Sequence, residues 1–270
     1  GKRRMEMMLC PLFSGSSGNA VYVGTQKTGL LIDAGLSGIV IERALQAQGL
    51  DPARLDGILI THEHIDHIKG AGVLSRRHDI PVYANEKTWL AMQDRIGPIA
   101  LRNQRVFDSA ADFYIRDIDV VPFQLSHDAE DPVGFCLGSG GKRVGIATDL
   151  GYVSAAAFEA VAGCDALLLE ANHDPDMLLH GRYSYELKRR IKGRRGHLSN
   201  EDAARALVRL HERGLRRALL GHMSAENNMV ELLWQTVRSV LKEAGIAAGR
   251  DIELAVAPRD RACAPLVVCR

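Results

Sequence analysis

The stretch Ile60-Thr61-His62-Glu63-His64-Ile65-Asp66-His67 packs three imidazoles and two carboxylates into six consecutive positions. Gly57-Ile58-Leu59-Ile60 before it reads as a short buried strand, and the polar residues and glycine after it predict a loop entering a helix. Alternate residues at a strand end share a face. His62 and His64 can therefore aim at one cation while the turn carries Asp66 and His67 to a second. Two divalent ions about 3.5–4 Å apart are a working arrangement for hydrolytic displacement. Solvated histidines at a helix start would not need this mixture of ligand types at this density.

Outward from this run, the 270-residue chain alternates short apolar runs with helical patterns. Strands are expected at Met7–Phe13, Ala20–Val23, Leu30–Asp33, Pro81–Ala84, Asp119–Leu125, Val133–Leu137, Arg143–Thr148 and Ala166–Glu170. Helices are expected through Ile39, Leu45 and Leu50 and over Ile68–His78, Glu86–Arg95 and Ala155–Ala162. Ser199 with Asp202 three residues later predicts a capped helix start, with Gly214 placed to end that helix. A last helix carries the stripe Val230, Leu233, Trp234, Val237, Val240, Leu241, with Gly245 as its cap and Trp234 read as core. No linker-like stretch divides the chain, so a single α/β domain over 1–270 is expected.

Composition narrows the class. A hydrophobic content of 46% supports a sizeable core, and no run of about 18 apolar residues suggests a membrane span. The basic Gly1-Lys2-Arg3-Arg4 is followed by a stretch, Met5 to Phe13, too short and mixed for a signal peptide. Five cysteines, Cys10, Cys136, Cys164, Cys263 and Cys269, have no paired spacing, which fits a reducing cytoplasm, and Cys136 and Cys164 read as core. Net charge is only +1, yet Leu178 to Arg217 holds twelve Lys/Arg against Glu186, Glu201, Asp202 and Glu212, a local balance of +8. Alone, such a run is a solvated helix face. Here it contains His197.

Two metals need about three donors beyond the first cluster, at strand ends where side chains converge. His127 follows Pro122–Ser126, Asp149 follows Val144–Thr148, and His222 follows Ala218–Gly221. In this order the set resembles the metallo-β-lactamase fold superfamily, which implies an α/β, four-layered αββα sandwich with metals at one edge of the paired sheets. By that resemblance His62, His64 and His127 would bind one metal, Asp66, His67 and His222 the other, and Asp149 both. Leu31-Ile32-Asp33-Ala34-Gly35 looks like the superfamily's first motif, whose aspartate supports the ligands.

Ser14-Gly15-Ser16-Ser17-Gly18-Asn19, Leu169-Glu170-Ala171-Asn172-His173-Asp174, Gly196-His197-Leu198-Ser199-Asn200, and Gly221-His222-Met223-Ser224 with Asn227-Asn228 resemble the YycJ/WalJ family, itself similar to RNase Z and RNase J. The resemblance implies 5′-to-3′ exonuclease action on DNA; a chain this compact, without the added domain of RNase J or the protruding arm of RNase Z, puts DNA ahead of RNA, and imidazoles with carboxylates suit two Zn²⁺ ions while the absence of a cysteine ligand admits Mn²⁺. Similarity to RNase Z gives Glu170 the role of orienting His197, which would protonate the leaving oxygen; Asp66, Glu170 and His197 form the expected catalytic group. His173 is left as a supporting or substrate-contacting residue. A lactam, thioester or small cyclic phosphodiester hydrolase of the same fold is the competing enzyme reading, and a metal-binding scaffold that has lost catalysis is the competing non-enzyme one.

Overall fold

A computed structural model describes residues 6–269; Gly1-Lys2-Arg3-Arg4 and Met5 lie outside the described residues. One sheet contains β1 (Glu6–Gly15), β2 (Gly18–Gly24), β3 (Gly29–Ile32), β4 (Gly57–Leu59), β5 (Val82–Asn85), β6 (Gln104–Phe107) and β14 (Leu266–Cys269), in the order β14-β1-β2-β3-β4-β5-β6. The other contains β7 (Phe113–Ile115), β8 (Ile118–Gln124), β9 (Val133–Ser139), β10 (Lys142–Ala147), β11 (Ala166–Glu170), β12 (Arg217–Gly221) and β13 (Glu253–Val256), in the order β13-β12-β11-β10-β9-β8-β7. In both sheets antiparallel pairs give way to parallel ones, β3 through β6 and β10 through β13.

The period-2 alternation of the strands builds the layers. Leu168 and Leu219 face the other sheet and meet Leu9, Val21, Leu30 and Ile32 in a core between the sheets. Their neighbours Leu167, Leu169, Ala218 and Leu220 face outward, onto α5 (Ala155–Val161), α8 (Asn200–Glu212) and α9 (Val230–Glu243). On the opposite side Leu12, Leu31 and Ile58 pack on α1 (Gly38–Ala47), α3 (Ala71–His78) and α4 (Glu86–Ile96). Each fully buried Leu contributes about 1.5–3 kcal/mol relative to exposure. The result is the expected αββα sandwich. α2 (Ile65–Ile68), α6 (Pro175–His180) and α7 (Tyr185–Lys192) lie at its edge.

Three expectations need correction. The helix expected over Ile68–His78 is split into α2 and α3. Gly70 explains the split: its N–H donates to Ala34 O at 2.7 Å, and a Cβ there would stand 2.2 Å from Leu36 O. Trp234 is half-buried, with the Arg238 guanidinium 5.2 Å from its ring centre, so the core face of α9 is Leu233, Val237 and Leu241. α1 stops at Ala47, before Leu50, and turns Ile41 and Leu45 inward while Ile39 is exposed. Cys136 and Cys164 are buried as expected, their sulfurs 3.5 Å apart.

Candidate metal centre

The parallel strands end on one edge of the sandwich and deliver the functional side chains there. Asp33 follows β3, His62 follows β4, Asp149 follows β10, Glu170 ends β11 and His222 follows β12. Asp33, Asp149 and His222 each take a left-handed backbone, with φ of 62°, 62° and 55°. Non-glycine residues there are strained and persist only where the surroundings impose the conformation. The turn out of each strand thus swings a polar side chain across the sheet edge.

The two expected donor sets come together. Ligand atoms of His62, His64 and His127 lie within 4.8 Å of one another, as do those of Asp66, His67 and His222, and those of His62, His67 and Asp149. Asp149 spans the sets: Oδ2 is 3.1 Å from His67 Nε2, while Oδ1 is 3.4 Å from His222 Nε2 and 3.7 Å from His127 Nε2.

Hydrogen bonds behind the rings decide which nitrogen faces inward. His67 Nδ1 is 2.7 Å from Asp33 Oδ2, His127 Nδ1 is 3.0 Å from Gly196 O, and His222 Nδ1 is 2.8 Å from Glu170 Oε1. An oxygen at each Nδ1 accepts a hydrogen bond from that nitrogen and so turns Nε2 inward as the nitrogen a metal would displace a proton from. Thr61 Oγ1 donates to Asp33 Oδ2 at 2.7 Å and so accepts from His62 Nδ1 at 3.0 Å, which frees His62 Nε2 as well. That atom faces His64 Nδ1 at 3.1 Å. Meanwhile His222 Nε2 is buried without a hydrogen-bond partner. Ring nitrogens and carboxylate oxygens converging this way, with a buried nitrogen left unpartnered, fit divalent cations, and the imidazole-carboxylate donor set suits Zn²⁺ or Mn²⁺.

The charges are strongly coupled. Burial opposes ionisation of Asp149, but His222 and His67 outweigh it and hold the carboxyl well below its usual range. Burial also opposes charge on His222, yet Asp149 and Glu170 push it up to about 9. His62, with no carboxylate paired to it directly, is driven well below the usual histidine value by burial and by His67.

Glu170 does more than the sequence suggested. Its Oε1 is 2.8 Å from Nδ1 of His197 as well as of His222, and its Oε2 accepts from the backbone N–H of Leu150 and Leu198. His197 Nδ1 also lies 3.6 Å from Asp149 Oδ1. One wholly buried carboxylate therefore fixes both a donor of the cluster and the ring beside it. Burial would raise its pKa, and the two imidazoles bring it down to about 2.

The loop Ser14–Asn19 holds the centre from behind. Ser14 Oγ accepts from His222 N at 2.9 Å, and Asn19 Nδ2 reaches Asp66 O at 3.3 Å and His67 Nε2 at 3.2 Å. Asn172 Nδ2 donates to His222 O, while Asn200 and Asn228 exchange reciprocal amide hydrogen bonds at 2.9 and 2.8 Å. The contacts of Asn19 and Asn172 within the centre were not assigned from sequence; their place in the quoted motifs was the available signal. His173 does not join the donors. It is 3% exposed, its Nδ1 lacks a partner, and burial pushes its pKa down to about 4.

Comparison with known proteins agrees with this architecture. The beta-lactamase superfamily domain matches residues 28–223. The chain is 43% identical over 243 residues to exodeoxyribonuclease YycJ of Bacillus anthracis, covering 90% of this chain and 92% of that protein. It is 42% identical over 245 residues to exodeoxyribonuclease WalJ of Streptococcus pneumoniae, covering 90% and 91%. Among solved structures, the metallo-beta-lactamase fold protein YhfI from Bacillus subtilis superposes with a TM-score of 0.72 at 16% identity, over 96% of this chain and 99% of that one, a likeness of fold.

Proposed function

We propose, for a chain that belongs to the beta-lactamase superfamily and within it to the YycJ/WalJ family, that it hydrolyses the phosphodiester backbone of DNA stepwise from a 5′ end. His62, His64 and His127 would hold one divalent ion and Asp66, His67 and His222 the other, with Asp149 shared. Bound there, Zn²⁺ or Mn²⁺ supplies a nucleophile at neutral pH and offsets charge gathering on phosphoryl oxygens.

The observation that carries this reading is the placing of His197. Its Nδ1 is locked to Glu170 at 2.8 Å, and its ring lines the same cavity as His64, Asp66, Asp149 and His222. With Nδ1 committed to a carboxylate, Nε2 is the nitrogen that gives its proton to the departing sugar oxygen. An alkoxide leaves poorly, and a positioned acid contributes about 10²–10⁴-fold. Asp66, partly exposed at the cavity wall, would as a ligand of the second ion help hold the nucleophile there. Arg190, paired with Asp128 at 3.0 Å, and Arg195, bonded to His127 O at 3.2 Å, line the same wall and would add positive charge near the phosphate.

In this reading the protein works in the cytoplasm, where its free cysteines stay reduced; no described helix is long and apolar enough to cross a membrane. The test is a time course on 5′- and 3′-labelled DNA and RNA strands with Mn²⁺ or Zn²⁺, beside His64→Ala and His197→Ala. Stepwise release from the 5′ end of DNA by the unsubstituted protein alone supports the proposal. No cleavage with either ion, and turnover of a lactam or thioester instead, rejects it.

A further inference from the structure

The loop 125–132, between β8 and β9, carries His127 into the cluster and is held from two sides. On one side it is fastened to the chain just before His197. His127 Nδ1 lies 3.0 Å from Gly196 O, Arg195 donates to His127 O at 3.2 Å and to Ala129 O at 3.4 Å, and Arg190 pairs with Asp128 at 3.0 Å. Residues 190–196 lie between β11 and β12, in the half of the sandwich from which the loop itself springs. These contacts therefore fix His127 within its own half. They leave open its distance from His62 and His64, which follow β4 of the other sheet.

Few contacts cross to that other half. Asn85 donates to Asp131 O at 2.8 Å and Ser109 to Asp131 Oδ2 at 2.9 Å, but the ends of β5 and β6 that they belong to supply no donor to the cluster. Thr61 O accepts from Val133 N at 3.0 Å, where β9 begins. Among the described residues one side-chain hydrogen bond joins the ligand run 61–67 to the His127 loop: Glu63 Oε1 accepts from Glu130 N at 3.0 Å. Glu63 stands between His62 and His64, and in extended chain the alternation turns its side chain away from theirs. Arg95 holds its backbone, donating to Glu63 O at 2.9 Å. The residue is 9% exposed, and Oε2 is buried with no partner. A buried carboxylate with one N–H partner and one bare oxygen costs stability rather than adding it, so core packing does not account for this side chain.

We infer that Glu63 is a positioning residue: by gripping Glu130 N it sets the distance of His127 from His62 and His64, and with it the affinity for the ion that these three would hold. The His127 ring centre lies 5.0 Å from that of His62 and 5.1 Å from that of His64. An ion gains from all three donors only while that spacing holds, and a loop that swings outward takes one of them away. The ion assigned to Asp66, His67 and His222 has no donor on this loop, so the grip serves one ion of the pair. The inference rests on the metal centre, and on the nuclease reading only through it.

The test is a calorimetric titration of the full, metal-stripped chain with Mn²⁺, beside Glu63→Gln, Glu63→Asp and Glu63→Met. Gln loses the charge but keeps an oxygen within reach of Glu130 N, and should bind both ions within about twofold of the unsubstituted protein. Asp keeps the charge and falls a methylene short, while Met keeps the bulk and has no oxygen. Each of these two should weaken one ion about tenfold and leave the other unchanged. In a His64→Ala background, the ion left to Asp66, His67 and His222 should be bound equally with and without Glu63→Met. Metal binding by the Met and Asp proteins equal to that of the unsubstituted chain, whatever the change in unfolding temperature, overturns the inference. So does a loss in Gln as large as in Met, or a weakening of both ions alike. Failure to cleave DNA with the expected pattern of metal binding intact counts against the nuclease reading alone and leaves the role of Glu63 standing.

Discussion

Glu170 and His222 are joined by a 2.8 Å contact between Oε1 and Nδ1, made across adjacent parallel strands in which Glu170 pairs with Gly221. Because the same oxygen serves His197, metal binding and proton donation share one support.

Glu170→Gln should therefore lower both functions, with metal affinity down about 10–100-fold and turnover down about 10²–10⁴-fold. His197→Ala should lose turnover to a similar extent while binding metal as before. Metal titration beside single-turnover rates separates the two, and a Glu170→Gln protein with unchanged metal affinity would show that the His222 contact is dispensable.

The acid role of His197 sets an alkaline limit. Burial disfavours its imidazolium, but Glu170 and then Asp149 more than reverse this and raise the pKa above the ordinary value of 6.5. The proton is present below that raised value, so activity should hold through pH 6.5 and decline only as pH climbs past it. In Glu170→Gln the decline should begin at lower pH. A pH–rate profile of the unsubstituted protein that falls at or below the ordinary histidine value would contradict the assignment.

Asp33→Asn isolates a charge from a backbone effect, since Asn tolerates the left-handed conformation that Asp33 adopts at φ 62°. Loss of the charged acceptor 2.7 Å from both His67 Nδ1 and Thr61 Oγ1 should weaken metal binding about 10–100-fold. Competition with a chelator of known affinity measures it.

Gly35→Ala tests the wall behind the cluster. A Cβ there would stand 1.6 Å from Asp66 O and 2.6 Å from Asn19 N, so the chain carrying Asp66 must move. Destabilisation of about 1–3 kcal/mol or more is expected, read by denaturant unfolding, with a matching loss of activity.

Salt should act on DNA binding through the basic segment. If six to ten of its cations meet phosphates, affinity for a non-hydrolysable strand falls about 10³–10⁵-fold between roughly 50 and 200 mM salt. A flat dependence, measured by fluorescence anisotropy, would remove Leu178–Arg217 from the binding surface.

Much of this was legible in the sequence, for physical reasons that differ by residue. His62, His64, Asp66 and His67 announced themselves because neighbouring ligands leave a local pattern. Asp149 and His222 were found only as polar residues at apolar strand ends, and the left-handed turns that aim them left no trace in side-chain type. The second partner of Glu170 depends on the register of β11 with β12, a long-range fact. α7 escaped because no residue of it is buried, so it has no apolar stripe to read. The short strands β6, β7, β13 and β14 sit at or beside sheet edges, where too few apolar residues alternate to stand out.

The cluster draws His62, His64 and His67 from the segment after β4 of one sheet and His127, Asp149 and His222 from the segments after β8, β10 and β12 of the other. Bound ions would thus act as a clasp across the sandwich, tying its halves at the edge where neither sheet continues. A ligand held only by the folded state stabilises it in proportion to the logarithm of its concentration over Kd. Heat tolerance should then rise with supplied metal and fall with chelator, and opening of the molecule should begin at this edge.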